Sequence, residues 1–475
     1  MYPYFESDRM AVKCCPSARQ LAVEQMEFYA FAHFTVNTFT DQEWGDGTEP
    51  ESVFNPTAFD ADQWVDALKS AGAKGLILTC KHHDGFCLWP SAVTEHSVKN
   101  SPFRDGKGDV VREVSDACRR GGLKFGVYLS PWDRNAAVYG QGEAYDDFFC
   151  RQLTELCTNY GELFSVWFDG ACGEGPNGKK QVYDWNRYYA LVRELQPNAC
   201  LAICGPDIRW CGNEAGDTRE SEWSVLPTGF LSPEEVAAKS QTSDNKEFRE
   251  KKIDAMEKDL GSRGFIENAT GFAWRPSETD TSIRPGWFYH ASEDDRVRST
   301  ETLIDIWYRT VGGNSLLLLN IPPDRRGLFH EVDVQRLTEM GEYIRKTFAD
   351  NLAENAVITA SSDDGYHLPE NVKVNNYDAY FKPFDGENAV TLTVKLDGLH
   401  DVSHVVIKEH IPMSQRIERF AVDAKQADGS YAEVASGTTV GYQKIVRFAP
   451  VSTDEIRIRI EDSRICPILS FIGVY

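Results

Sequence analysis

FSVWFDGA, residues 164–171, is an apolar run that ends in an acid, and it reads as a buried strand delivering one carboxylate, Asp169. Strands of parallel sheets are covered on both faces, so they appear as short continuous apolar runs. In α/β barrels the chemistry sits where such strands end. An acid at a strand exit is also a common helix N-cap or loop ligand, so the surrounding pattern has to decide.

The pattern repeats on both sides. Upstream, FYAFAHFTV (28–36), GLILTCKHHDGF (75–86) and KFGVYLSPWDR (124–134) are strands carrying polar groups at their exits. DADQWVDALKSAG and DVVREVSDACRRGG lie between them and read as helices stopped by glycine. YDDFFCRQLTELCTNYG and WNRYYALVRELQPN flank the central strand as helices, and ACLAICG follows as a strand. GFAWRP, RPGWFYH and SLLLLNIPP supply the remaining strands, with a helix at TLIDIWYRTVGG. Strand alternating with helix at this spacing implies right-handed βα units and a parallel sheet. About eight strands favour a (β/α)8 barrel over residues 1–345. No GxGxxG follows the first strand, which weakens a dinucleotide-binding alternative. The charged stretch 233–263 is expected to be a solvated helical excursion on the barrel's outer ring. A last helix, EVDVQRLTEMGEYIRKTF, precedes a change to period-two alternation in TLTVKL, HVVIKEH, RFAVDA, IVRFAP and EIRIRI. That alternation predicts a C-terminal all-β sandwich over residues 346–475.

A chain of 475 residues exceeds the roughly 250–300 at which single cores stop growing, which agrees with two domains. Fifty basic against 73 acidic residues leave a net charge of -23, which argues against nucleic acid or a membrane as partner. The N-terminus shows no basic region followed by an apolar one, and no segment approaches the roughly 20 apolar residues of a membrane span. The 12 cysteines are scattered without a CxxC pair, predicting reduced thiols and a cytoplasmic compartment.

A barrel gathers distant strand ends into one mouth, so His33, His82, His83, Asp84, Trp132, Asp133, Asp169 and His290 form a site hypothesis, with Glu43, Trp44, Glu214 and Glu222 on the following loops. No G-x-S-x-G elbow is present, and Cys172 has no basic neighbour to activate it. The adjacent histidines of KHHDGF are a poor metal pair, because neighbours in an extended segment point opposite ways; no metal and no cofactor is expected. Carboxylates and imidazoles with aromatic walls suit sugar chemistry instead. Hydrolysis of a glycosidic bond needs two carboxyl groups, one as nucleophile or base and one as proton donor. Asp169 suits the first role, and Glu214, Glu222 and Glu278 are candidates for the second. Arg275 and Arg284 near Glu278 in sequence are expected to depress its pKa and spoil it as a donor.

At this point the residues resemble a known family, the α-L-fucosidases of glycoside hydrolase family 29. AHF with His33, EWG at 43–45, KHHDGFCLW from Lys81, FGVYLSPWDR from Phe125, VWFDGA around Asp169, GNEAG around Glu214 and SIRPGWFYH from Ser282 carry the likeness over roughly residues 25–345. The resemblance implies a retaining exo-hydrolase with Asp169 as nucleophile. It implies that His33, Glu43, Trp44, His82, His83 and Tyr128 hold fucose hydroxyls, with Trp287 on the sugar's apolar side. GNEAG and ESEWSVLP look like the subgroup acting on branched α-1,3 and α-1,4 fucosides of Lewis type, with Glu214 as acid/base. The implied partner is a fucosylated oligosaccharide or glycoconjugate. The C-terminal portion resembles discoidin and carbohydrate-binding modules, which implies either a second sugar contact or a structural buttress. A glycosidase for another deoxy or galacto-configured sugar, a non-catalytic sugar-binding barrel and a metal-dependent hydrolase are the rival readings.

Overall fold

The computed structural model describes residues 6–229, 232–251 and 259–475. Eight strands form one parallel sheet: β1 Phe28–Ala32, β2 Gly75–Lys81, β3 Lys124–Leu129, β4 Ser165–Phe168, β5 Cys200–Ile203, β6 Arg209–Trp210 and, after a two-stranded excursion of β7 Val225–Pro227 and β8 Phe272–Trp274, β9 Ser277–Ser282 and β10 Ser315–Asn320. Their spatial order is β5-β4-β3-β2-β1-β10-β9-β6. A parallel bridge between Ala202 and Ile208 brings the two edges together, so the sheet is a nearly closed barrel. FSVWFDGA is the strand it was read to be, β4, with every residue buried and Asp169 at its exit.

Aspartate and glycine set the limits of two of the outer helices. Ala61–Ala71 starts at Asp60, whose side chain accepts from the Asp62 and Gln63 N–H groups, and stops at Gly72 in the left-handed region (φ 91°). Its apolar stripe of Trp64, Val65 and Leu68 packs on the barrel. Val110–Gly121 repeats the scheme between Asp109 and Gly122. The β5–β6 connection departs from it, because residues 204–208 form only a tight return without a helix, closed by Ile203 N–H donating to the Ile208 carbonyl at 3.0 Å.

Two expected barrel strands lie elsewhere. GFAWRP contributes β8, which pairs antiparallel with β7 outside the barrel, and RPGWFYH is an irregular loop. The barrel strands are instead the two-residue β6 and the polar SETDTS of β9. A search for apolar runs passes over β9, yet all six of its residues are buried, with hydrogen-bonding partners inside the barrel replacing hydrophobicity.

Beyond the helix Glu331–Thr347, β11 Val357–Ala360, β12 Val390–Glu409, β13 Ile417–Lys425, β14 Tyr431–Gly437, β15 Lys444–Ser463 and β16 Leu469–Val474 form an antiparallel sheet. The 20-residue β12 buries Val390, Leu392, Val394, Leu396 and Val402, then switches parity through the bulge between Val402 and His404 and buries Val405 and Ile407. Both halves therefore face one core, as in two packed layers. This domain meets the barrel at the end opposite β4's exit. Lys408 Nζ and the Tyr442 hydroxyl reach Glu27, just before β1, at 3.1 and 2.9 Å, and Tyr442 N–H donates to Asn314 Oδ1, just before β10, at 2.7 Å. No helix among the described residues is long and apolar enough to cross a membrane.

Candidate active site

Strand alternation decides what reaches the barrel mouth. On β1, Tyr29 and Phe31 point inward and His33 follows on the same face; β4 presents Trp167 and then Asp169; β9 presents Glu278 and then Asp280. At the C-terminal end these residues surround a cavity of about 580 Å3, floored by Phe31 and Trp167. His33, Trp44, His82, His83, Asp169, Glu214 and Trp287 all line it. Tyr128 and Glu43 stand immediately behind its wall.

Asp169 is held by two donors. The Ala171 N–H reaches Oδ1 at 2.7 Å and the Tyr128 hydroxyl reaches Oδ2 at 3.0 Å. Burial pushes its pKa above the usual carboxylate value, and these two hydrogen bonds oppose the shift. The carboxyl is fixed in orientation, and 23 % of its side-chain surface stays open to the cavity.

The histidines are neutral. Burial lowers His33 to about 4 and His83 to about 3, and holds His82 well below the ordinary imidazole value. Asn320 fixes the His33 tautomer. Its Nδ2 donates to the Trp287 carbonyl at 2.8 Å and to Ser282 Oγ at 2.9 Å, so Oδ1 is the acceptor 2.8 Å from His33 Nδ1. His33 is thus protonated on Nδ1 and keeps Nε2 as an acceptor. Ser130 does the same for His83, because its hydroxyl donates to the Trp132 carbonyl and accepts from His83 Nδ1 at 2.7 Å. His83 Nε2 then lies 3.9 Å from Asp169 Oδ2. Opposite directions were expected for His82 and His83, but β2 ends at Lys81 and a turn closed by Gly85 follows. Leaving the extended conformation brings both rings to the cavity, with centroids 4.1 Å apart. Among the described residues no cluster of three or more His, Cys, Asp or Glu side chains is arranged to hold a metal ion.

Glu214 reaches the cavity from the loop after β6, anchored by Thr281 Oγ1 donating to its backbone carbonyl at 2.7 Å. Gln241 Nε2 donates to its Oε1 and Oε2 at 3.1 and 2.9 Å, and Trp287 Nε1 donates to Oε2 at 3.1 Å. Burial raises its pKa to about 7, with the charge of Asp169 pushing the same way. Glu43 acts one layer back. Its carboxylate accepts from the Trp287 and Phe288 N–H groups at 2.8 and 3.0 Å and from His290 Nε2 at 2.9 Å, so it clamps the loop that carries the Trp287 ring.

The other two glutamates lie outside the cavity. Glu222 is fully buried against Arg209 and Arg219. Glu278 lies deeper in the barrel, accepting from the Tyr29 hydroxyl and from Trp167 Nε1. The expected depression of its pKa does not occur. Arg284 is paired with Asp333 and Asp294, so burial prevails and raises Glu278 to about 7.

The excursion expected on the outer ring sits instead over the mouth. Within 233–251, the helices Pro233–Lys239 and Lys246–Glu250 flank Ser240 and Gln241, which line the cavity; residues 252–258 of that charged stretch lie outside the described residues. Gln241 had no signal in its sequence neighbourhood. Asp280 and Trp210 were also missed, although a carboxylate two residues after Glu278 on one strand face was a usable one. Trp210 Nε1 donates to Asp280 Oδ1 at 2.7 Å, and burial with the neighbouring Glu214 and Glu278 raises the Asp280 pKa well above its ordinary value.

A family model described as Alpha-L-fucosidase matches residues 17–348. Alpha-L-fucosidase 1 of Arabidopsis thaliana is 39 % identical over 467 residues, which span 97 % of this chain and 87 % of that protein. A Bacteroides ovatus protein of known crystal structure is 47 % identical and superposes with a TM-score of 0.86, covering 99 % of this chain and 75 % of its own. A Ruminococcus gnavus glycoside hydrolase family 29 fucosidase, solved in complex with fucose, is 29 % identical with a TM-score of 0.84, covering 100 % of this chain and 96 % of its own.

Proposed function

The chain belongs to the α-L-fucosidases of glycoside hydrolase family 29, and from that premise we propose that it is an exo-acting, retaining enzyme releasing terminal α-1,3- or α-1,4-linked fucose from branched, Lewis-type glycans. Asp169 is the nucleophile and Glu214 the acid/base. The observation that carries this is the division between two carboxyls on one cavity. Asp169 accepts fixed hydrogen bonds from Ala171 and Tyr128 that favour its carboxylate form, whereas burial raises Glu214 to about 7, so that about half of it carries its proton at neutral pH.

Glu214 gives its proton to the glycosidic oxygen as the C1–O bond breaks, and Asp169 Oδ forms an ester to C1. Esterification removes the negative charge that helped raise Glu214, so its pKa falls and it becomes the base for the second step. It takes a proton from water, the water oxygen attacks C1, and the Asp169 ester is released as carboxylate with the starting configuration restored. Neutral His33, His82 and His83 offer hydrogen bonds to hydroxyls without adding charge beside the nucleophile. The Trp287 ring faces the methyl side of the sugar. The closed floor of Phe31 and Trp167 suits a terminal residue.

The subgroup assignment rests on GNEAG and ESEWSVLP together with the mouth-covering Gln241 segment. Proton NMR of the first-formed fucose from a branched trisaccharide and from a linear α-1,2 fucoside tests both claims. The α anomer should appear first, and the branched substrate should be the faster; a β anomer would refute retention, and preference for the linear one would refute the subgroup. Asp169→Ala should lower turnover by several orders of magnitude.

A further inference from the structure

Next to the donor cavity lies a second cleft of about 560 Å3, which shares Glu214 and Trp287 with it but not Asp169. The acid/base stands between nucleophile and leaving group, so a space bordering Glu214 on the side away from Asp169 lies on the leaving-group side. That inference rests on the reading of Glu214 given above.

The cleft is basic. Arg249, Arg284, Arg296 and Arg298 line it, against Glu214 and Glu250, on a chain whose net charge is -23. Two of the four guanidinium groups are already matched by carboxylates, Arg249 by Asp244 and Arg284 by Asp333 and Asp294. Among the described residues the other two are not. The Arg298 side chain donates, among the described residues, only to the Ala215 carbonyl at 3.3 Å and to Thr281 Oγ1 at 3.1 Å, and Arg296 forms no ion pair among them. Partial burial and the nearby Arg309 push the Arg298 pKa down, as expected for a cation without a counter-charge. Arg284 adds an independent sign. It is 1 % exposed, yet its Nη2 has no hydrogen-bond partner among the described residues. A buried guanidinium N–H left without an acceptor keeps positive potential on the wall of the cleft, which favours an oxyanion there.

We propose that this cleft is a leaving-group subsite for an oxyanion, a carboxylate or a sulfate, borne by the saccharide from which fucose is cleaved, with Arg296 and Arg298 as its principal contacts. Planar guanidinium groups match such oxyanions in bidentate fashion, and a neutral glycan gives them nothing comparable. The enzyme would thereby favour acidic branched fucosides over their neutral counterparts.

The test is a set of inhibition constants for three forms of the leaving disaccharide galactosyl-N-acetylglucosamine: neutral, 3-sulfated on galactose, and sialylated at the same position. The two anionic forms should bind about tenfold more tightly than the neutral one at low salt. The advantage should shrink in 0.5 M NaCl and fall to about twofold or less in Arg296→Ala and Arg298→Ala. Tighter binding of only one anion identifies the source, sulfate or carboxylate. Equal binding of all three forms overturns the proposal, as does an advantage that both variants retain. Arg296 is exposed and its side chain forms no hydrogen bond or ion pair among the described residues, so its variant remains informative if Arg298→Ala fails to fold. The same constants can be measured by calorimetry without turnover, while release from an aryl fucoside reports separately on the catalytic reading. An inactive enzyme that still discriminates by charge would strike only the latter.

Discussion

Trp287 Nε1 donates to Glu214 Oε2 at 3.1 Å, so the aromatic wall of the cavity is also a hydrogen-bond partner of the residue assigned as acid/base. The same tryptophan is fixed from behind by its backbone N–H on Glu43 at 2.8 Å. Packing of the Trp287 ring and protonation of Glu214 are therefore coupled through one side chain.

Trp287→Phe keeps an aromatic face and removes the donor. The indole hydrogen bond favours the carboxylate form of Glu214, so its loss raises a pKa that already stands at about 7. The alkaline limb of kcat/KM, set by loss of the Glu214 proton, should move up by roughly one pH unit, the size expected for one hydrogen bond to a charged group. A limb that stays in place in this variant, measured on an aryl fucoside, would separate Glu214 from the observed ionisation.

Tyr128→Phe acts on the other limb. The phenol donates to Asp169 Oδ2 at 3.0 Å and lowers a pKa that burial raises. Without it Asp169 holds its proton to higher pH, so the acid limb should shift upward and kcat should fall about tenfold. Unchanged pH dependence with a raised KM alone would instead make Tyr128 a contact for the sugar only.

Glu222 was an acid/base candidate on sequence grounds, and the structure gives it a different burden. It is fully buried between Arg209 and Arg219, and its backbone carbonyl accepts from Asn314, just before β10, and from Gln415, which ties it to the C-terminal domain. Removing its charge takes a buried carboxylate away from the Arg209 and Arg219 guanidinium groups, so Glu222→Gln should destabilise the protein by about 3–5 kcal/mol in urea unfolding. Activity of the folded fraction should stay within a few-fold of wild type. A stable but inactive Glu222→Gln that azide rescues would return the acid/base role to this residue.

The sequence showed most clearly what depends on apolar periodicity. The strand at 164–171, the capped helices between strands and the alternating strands beyond 350 could be read because burial of hydrophobic side chains selects them. β9 was hidden because Glu278 and Asp280 are buried through hydrogen bonds to Tyr29, Trp167 and Trp210, three aromatic residues far apart in sequence. Gln241 was hidden for a related reason. Its segment is polar and charged, and only the tertiary fold shows that it turns over the mouth onto Glu214 rather than into solvent. Tyr128 and Glu43 were linked to the site in advance, but their position behind Asp169 and Trp287 required coordinates.

His290 gives the clamp behind Trp287 a pH dependence. It lies between Glu43 and Asp41, with Nε2 2.9 Å from the first and Nδ1 2.8 Å from the second, and these carboxylates raise its pKa from 6.5 to about 9. Because the folded-state value is the higher one, the stabilisation is fully present below about pH 6.5 and is lost as pH rises through about 9. Asp41 is 59 % exposed and contributes less through solvent screening, which leaves about 2 kcal/mol in all. His290→Gln should therefore lower unfolding free energy by that amount at pH 6 and by almost nothing at pH 10. Above pH 9 the wild-type KM for an aryl fucoside should rise toward that of the variant, as the neutral imidazole loosens its hold on Glu43 and Glu43 on the Trp287 loop. A stability difference equal at pH 6 and pH 10 would mean that His290 acts by packing alone, and the clamp would then not be electrostatic.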